Sequence, residues 1–201
     1  MSIQSDVKVG FIADENVADP DRLVVAARPN TSATMAETTF LGGGARNVTV
    51  TTTGTSDNAK TCTITGTDVF GNAITEVIVS TGSAEAVAGA KLFLTVSGVE
   101  CSAQYAANIT VGSGSLCASA VAGGNRTRMK GYSIVSAGTA GLVDFYNGTP
   151  EDGTIIFKAQ TLGTDNTTID NTIPDEGILF GSGLTVGYTV ATVVLANIFF
   201  A

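Results

Sequence analysis

The sequence predicts an all-β protein: antiparallel β-sandwich or jelly-roll modules preceded by an extended N-terminal arm. Three observations carry this. Apolar and polar residues alternate with period two through several short segments. Clusters of Gly, Pro, Asn and Asp recur between those segments as turn signals. No stretch combines a 3.6-residue apolar period with helix caps.

Residues 1–46 are the least regular part. Asp6, Asp14, Glu15, Asp19 and Asp21 interrupt them, Pro20 and Pro29 restrict the backbone, and Gly42, Gly43 and Gly44 close the stretch. The one apolar run, Leu23, Val24, Val25, Ala26 and Ala27, is too short for an isolated helix and suits a strand added to a neighbouring surface. The stretch therefore reads as an arm, ordered only where its own body or another subunit covers it. Deleting residues 1–28 is expected to leave the remainder folded.

From residue 47 the pattern becomes strands. Val48 and Val50 alternate with Thr49 and Thr51; Cys62 and Ile64 alternate with Thr61, Thr63 and Thr65, which places β-branched threonine on the more exposed face. Asp68, Gly71 and Asn72 mark a tight turn that feeds residues 73–80 back as a hairpin. Residues 81–89 read as a loop or a single helical turn, 92–100 and 108–112 as strands, and the small, polar 113–128 as a linker. A second series follows at 129–136, 141–146, Thr154–Gln160, Ile178–Phe180, 184–190 and Val193–Phe200. Two modules result, 47–113 and 129–201. Net charge separates them: −2 for 1–46, zero for 47–130 and −6 for 131–201.

Composition narrows function further. The 201 residues include no histidine and no tryptophan, and charged residues make up 14%, against about 25% in ordinary soluble domains. Histidine-dependent triads and histidine-ligated metal sites are thereby excluded. No G-x-S-x-G occurs, and the glycine triplet at 42–44 is not followed by G-K-[ST]. A two-carboxylate glycosidase is compatible with composition, but sugar sites draw on stacking aromatics, which are only 6% here. Asp165, Asn166, Asp170, Asn171, Asp175 and Glu176 crowd what reads as one loop; such oxygens suit calcium, yet the spacing misses the EF-hand pattern. The expectation is a non-enzymatic protein with no catalytic residues, no metal and no cofactor. A formal net charge of −8 argues against direct nucleic-acid binding. The absence of an 18-residue apolar run or a secretory core segment argues against membrane insertion and export. Cys62, Cys101 and Cys117 lack C-x-x-C spacing and read as buried thiols, with a 62–101 pair as the alternative.

The candidate sites are partner contacts. Leu23, Val24 and Val25 would dock the arm. Arg126, Arg128 and Lys130, spaced two apart, would share one strand face as a cationic contact for an acidic partner or another copy's C-terminal module. Val193–Phe200 is apolar on both faces, and such a strand needs cover on both sides. A homo-oligomer or lattice-bound protein is favoured over a free monomer, a trimer being one arrangement.

These residues also carry a resemblance. The 61–78 sequence TCTITGTDVFGNAITEVI, with LFLTVS at 92–97 and NITVG at 108–112, resembles β modules of tailed-bacteriophage virion proteins. GLVDFYNG at 141–148 and IPDEGILFGSGLTV at 173–186 resemble the small jelly-roll or sandwich domain of the same class. The resemblance implies a virion structural protein, made in the host cytoplasm, that decorates or cements the capsid surface. Its partners would be the major capsid protein and other copies of itself, often as a homotrimer. A tail or neck subunit is the alternative within that class. Outside it stands a carbohydrate-binding module, with Tyr105, Tyr132, Tyr146 and Tyr188 as stacking residues.

Overall fold

The computed structural model describes residues 6–13 and 17–201, and among them the chain is all-β. Its strands are β1 (Lys8–Ala13), β2 (Val24–Ala27), β3 (Ala45–Thr52), β4 (Thr61–Thr67), β5 (Ala73–Val79), β6 (Ala86–Phe93), β7 (Thr95–Cys101), β8 (Ile109–Ala122), β9 (Thr127–Ser136), β10 (Leu142–Asn147), β11 (Thr154–Gln160), β12 (Thr167–Thr172), β13 (Ile178–Phe180), β14 (Leu184–Thr189) and β15 (Val193–Phe200). They form two large antiparallel sheets, of five and seven strands, and a third of three.

The chain divides into two compact units: Asn16–Cys117, and Ala118–Ala201 together with Met1–Glu15. The division falls within β8, where a linker was expected over 113–128. Instead the strand runs to Ala122, and β9 begins at Thr127. Two glycines of this strand answer to close approach rather than to a loop. A side chain on Gly112 would collide with the Asp19 carbonyl, and one on Gly114 with the Asn47 amide.

In the unit Asn16–Cys117, the three-stranded sheet is ordered β5-β4-β7, and β3 lies between β8 and β6. Alternate residues of these strands turn inward to a core of Leu23, Val24, Val48, Val50, Ile64, Phe93, Val96, Val99, Tyr105 and Ile109. The β4–β5 hairpin forms as its turn signal predicts. The Asp68 carboxylate accepts from the backbone N–H groups of Phe70 (2.8 Å) and Asn72 (2.9 Å), and Gly71 takes φ +84°. At β3–β6 the register slips between Asn47 and Thr49. The freed β6 N–H groups of Ala90 and Lys91 find the Glu76 carboxylate (2.7 and 3.3 Å), while Asn47 donates from Nδ2 to the Gly89 carbonyl (3.0 Å). Thus β6 starts at Ala86, inside the stretch expected as a loop.

The stretch expected as an arm is stitched to this same chain. Leu23 and Val24 are fully buried, β2 pairs with β8, the Leu23 N–H donates to the Val111 carbonyl (2.9 Å), and the Ala33 N–H donates to the Val99 carbonyl (2.9 Å). Of the two covers left open, the chain's own body supplies the one over these residues. Deleting residues 1–28 would take two core side chains with it, which argues against an intact remainder. Asp14 and Glu15, singled out in the sequence, lie outside the described residues.

In the other unit the five-stranded sheet is ordered β1-β15-β9-β12, with β13 also pairing β9. Ile12, Met129, Ile134, Phe145, Phe180, Leu184, Val186 and Ile198 are buried. Tyr132, Phe145 and Phe157 pack as a tilted trio with centroids 5.5 to 5.8 Å apart. The acidic region expected as a loop contains β12, which pairs with β9 from Thr167 opposite Ser136 to Thr172 opposite Gly131.

Candidate functional site

The outward face of the five-stranded sheet begins at β1. Residues directly opposite in an antiparallel ladder share a face, so the register sets its rows. Val9 stands opposite Phe199, and Phe199 opposite Gly131, which faces Thr172. In the next row Phe11 stands opposite Asn197, then Ser133 and Asp170. Leu195 and Val135 lead a third row that ends in Thr168. Apolar side chains therefore gather on β1 and β15, and polar ones on β12. Val9 is 55% exposed and Phe11 68%, while Phe199 and Leu195 are half-buried. On the inner face Gly10 lets Val121 pack close; a side chain there would meet Val121 Cγ1 at 2.6 Å. Among the described residues β1 ends the sheet order, so this border sets a terminal strand beside exposed apolar side chains.

The prediction for Val193–Phe200 is met on its inner side by Val193, Ala196 and Ile198, all buried. Its outer side, with Val194 exposed and Leu195 and Phe199 half-buried, is covered only in part. The unit Asn16–Cys117 repeats the arrangement at β5, the terminal strand of its three-stranded sheet. Val77 and Val79 are exposed there, beside the outward threonines Thr61 and Thr63 of β4.

The partner-contact residues proposed from sequence separate. Leu23 and Val24 lie in the core, and only Val25 is exposed. Arg126 is exposed and precedes β9. Arg128 and Lys130 share a face of β9, but both serve their own chain: Arg128 pairs with Glu176 (3.1 Å), and Lys130 donates to the Asp175 carbonyl (3.3 Å). They hold the turn that leads into β13. Val9 and Phe11 are the surface residues that reasoning from sequence did not name. Their signal was the apolar run of residues 9–12, hidden inside a stretch read as irregular.

No buried constellation competes with this surface. The buried carboxylate of Asp57 accepts from Lys60 Nζ (2.7 Å), the Thr52 hydroxyl (3.2 Å) and the N–H groups of Ala106 (2.7 Å) and Ala107 (3.1 Å). Burial pushes it up, but the Lys60 and backbone hydrogen bonds outweigh this and hold it at about 2. With its acceptors occupied by structural donors, it acts as a staple between the 52–60 segment and residues 106–107. Among the described residues no group of three or more Cys, Asp or Glu side chains is placed to hold a metal ion. No helix among them is long and apolar enough to cross a membrane. Of the tyrosines, Tyr105, Tyr132 and Tyr188 are buried and Tyr146 is half-buried.

Comparison with protein-family models, with curated proteins and with solved structures finds no match.

Proposed function

We propose that this chain is a non-enzymatic structural subunit of a tailed-phage virion, a decoration or cement protein that binds the capsid surface together with other copies of itself. In this reading each unit is a sandwich of the jelly-roll type, and the β1 border is the docking element. The observation that carries the proposal is that border: Val9 and Phe11 exposed beside Phe199, on the terminal strand of the sheet among the described residues. Burial of apolar surface contributes roughly 25 cal/mol per Å², and stable association calls for about 1,200 Å² or more of total buried area. A border of this kind supplies the apolar centre of such a contact, and backbone pairing along β1 supplies its direction. The action is mechanical. Pulling apart the partner copies exposes whatever apolar area this subunit covers, so its binding raises the stability of the bound arrangement by mass action.

The test is the mass of the purified full chain in solution, followed by co-sedimentation with empty capsids and, separately, with tails. An oligomer that binds capsids supports the proposal. Binding to tails alone moves the protein to the tail or neck. A monomer that binds neither overturns the assembly reading.

A further inference from the structure

Cys62 on β4 and Cys101 at the end of β7 are register partners, and their sulfurs stand 3.9 Å apart. The ladder makes this a particular kind of pair. The Cys101 N–H is turned away from β4 and donates to the Thr31 carbonyl (2.6 Å), while at the next position the Ser102 N–H donates to the Thr61 carbonyl (3.0 Å). Cys62 and Cys101 therefore occupy a non-hydrogen-bonded site, where facing Cα atoms approach to about 4.5 Å. That separation lies inside the roughly 4.4–6.8 Å that a disulfide spans. Cys62 is buried against the Tyr105 hydroxyl (3.2 Å), whereas Cys101 is half-buried and offers the entry point.

The geometry points to Cys62 and Cys101 as a redox modification site, in which a low-molecular-weight disulfide such as oxidised glutathione converts the two thiols into one cross-strand disulfide. In the first step the Cys101 sulfur attacks one sulfur of the small disulfide. The S–S bond of the reagent breaks, and the Cys101 proton leaves with the departing thiol. In the second step the Cys62 sulfur attacks Cys101, displacing the second small thiol, which carries off the Cys62 proton. Two thiols are oxidised, one disulfide reagent is reduced to two thiols, and no other reactant is needed. Access sets this order, because Cys62 is buried and Cys101 is not. The Cys101 thiol as hydrogen-bond partner draws the Cys62 thiol below the ordinary thiol range, against burial and with help from Tyr105. The same partnership, with burial, pushes Cys101 up. Acidity thus favours Cys62 and access favours Cys101; the 3.9 Å between the sulfurs places Cys62 to resolve a mixed disulfide formed on Cys101.

The experiment incubates the full chain in glutathione buffers of increasing oxidised fraction, then measures intact mass and maps peptides. The expected result is a mass loss of about 2 Da, with a 62–101 cross-link in both the wild type and the Cys117→Ser variant. Cys62→Ser should instead trap glutathione on Cys101, because the resolving sulfur is gone. The sites lie 39 residues apart in sequence, so closing this loop should raise the melting temperature by roughly 5–15 °C. Retention of both thiols in the wild type under fully oxidised glutathione, or a cross-link that uses Cys117, overturns the assignment. This result is read on the isolated chain and does not depend on capsid binding.

Discussion

Replacing Asp57 by asparagine removes one negative charge while keeping the shape of the side chain. In the native protein the carboxylate is fully buried and accepts from Lys60, Thr52, Ala106 and Ala107. Against the ordinary 3.8, it is held at about 2. One pKa unit corresponds to about 1.4 kcal/mol, so the charged form contributes about 2 kcal/mol to folding. Because the folded value lies below the unfolded one, that contribution is complete above the unfolded value and disappears as pH falls through the folded one. The variant does not titrate there. At about pH 6 it should be less stable than wild type by roughly 2–4 kcal/mol, since Lys60 and a backbone N–H lose their charged acceptor. Urea unfolding across a pH series should show that gap narrowing by about 2 kcal/mol between roughly pH 5 and pH 2. Amide exchange at Ala106 and Ala107 should quicken in the variant near neutral pH. A gap that stays flat across the series would refute the charge-based account and leave Asp57 as a packing residue.

Leu23→Ala should cost roughly 2–5 kcal/mol in denaturant unfolding, because Leu23 is fully buried in the core of its unit. Gly66→Ala should cost roughly 2–4 kcal/mol, since the added methyl meets the Thr95 carbonyl and stands 2.9 Å from Phe93 Cδ1; calorimetry would check it. Glu76→Ala should cost roughly 1–3 kcal/mol and speed amide exchange at Ala90 and Lys91, the two N–H groups it accepts from. Phe11→Ser, at a side chain 68% exposed, should change unfolding free energy by no more than about 0.5 kcal/mol. On the proposed function it should weaken self-association and capsid co-sedimentation several-fold. Unchanged assembly would remove β1 from the contact.

The strands that were legible in the sequence are those whose side chains alternate and whose turns carry their own chemistry. The hairpin of β4 and β5 is the clearest, because Asp68, Gly71 and Asn72 specify the turn locally. β15 was legible for its double apolar faces, and with it the expectation of surface left uncovered. Three features were not legible. β8 carries Gly112 and Gly114 where Asp19 and Asn47 press against it, and its run of small residues read alone looks like a linker. β12 is polar along its length, and its backbone pairing with β9 makes it a strand. The partners of Val9 and Ala33 are long-range. Val9 opposite Phe199 and Ala33 on Val99 are separated by most of a unit or more of chain, so no local pattern could place them. The contacts of Arg128 and Lys130 were hidden for a related reason: the acidic turn that engages them lies more than forty residues away in sequence.

The five-stranded sheet has unlike borders. One margin, at β1, carries Val9 and Phe11; the other, at β12, carries Thr168, Asp170 and Thr172, hydrated side chains with little to gain from contact. A neighbour that aligns along the first margin consumes it, and the second offers no equivalent place for another to follow. On the docking role proposed for β1, growth through this sheet is expected to stop at a closed contact and not to thread into a filament.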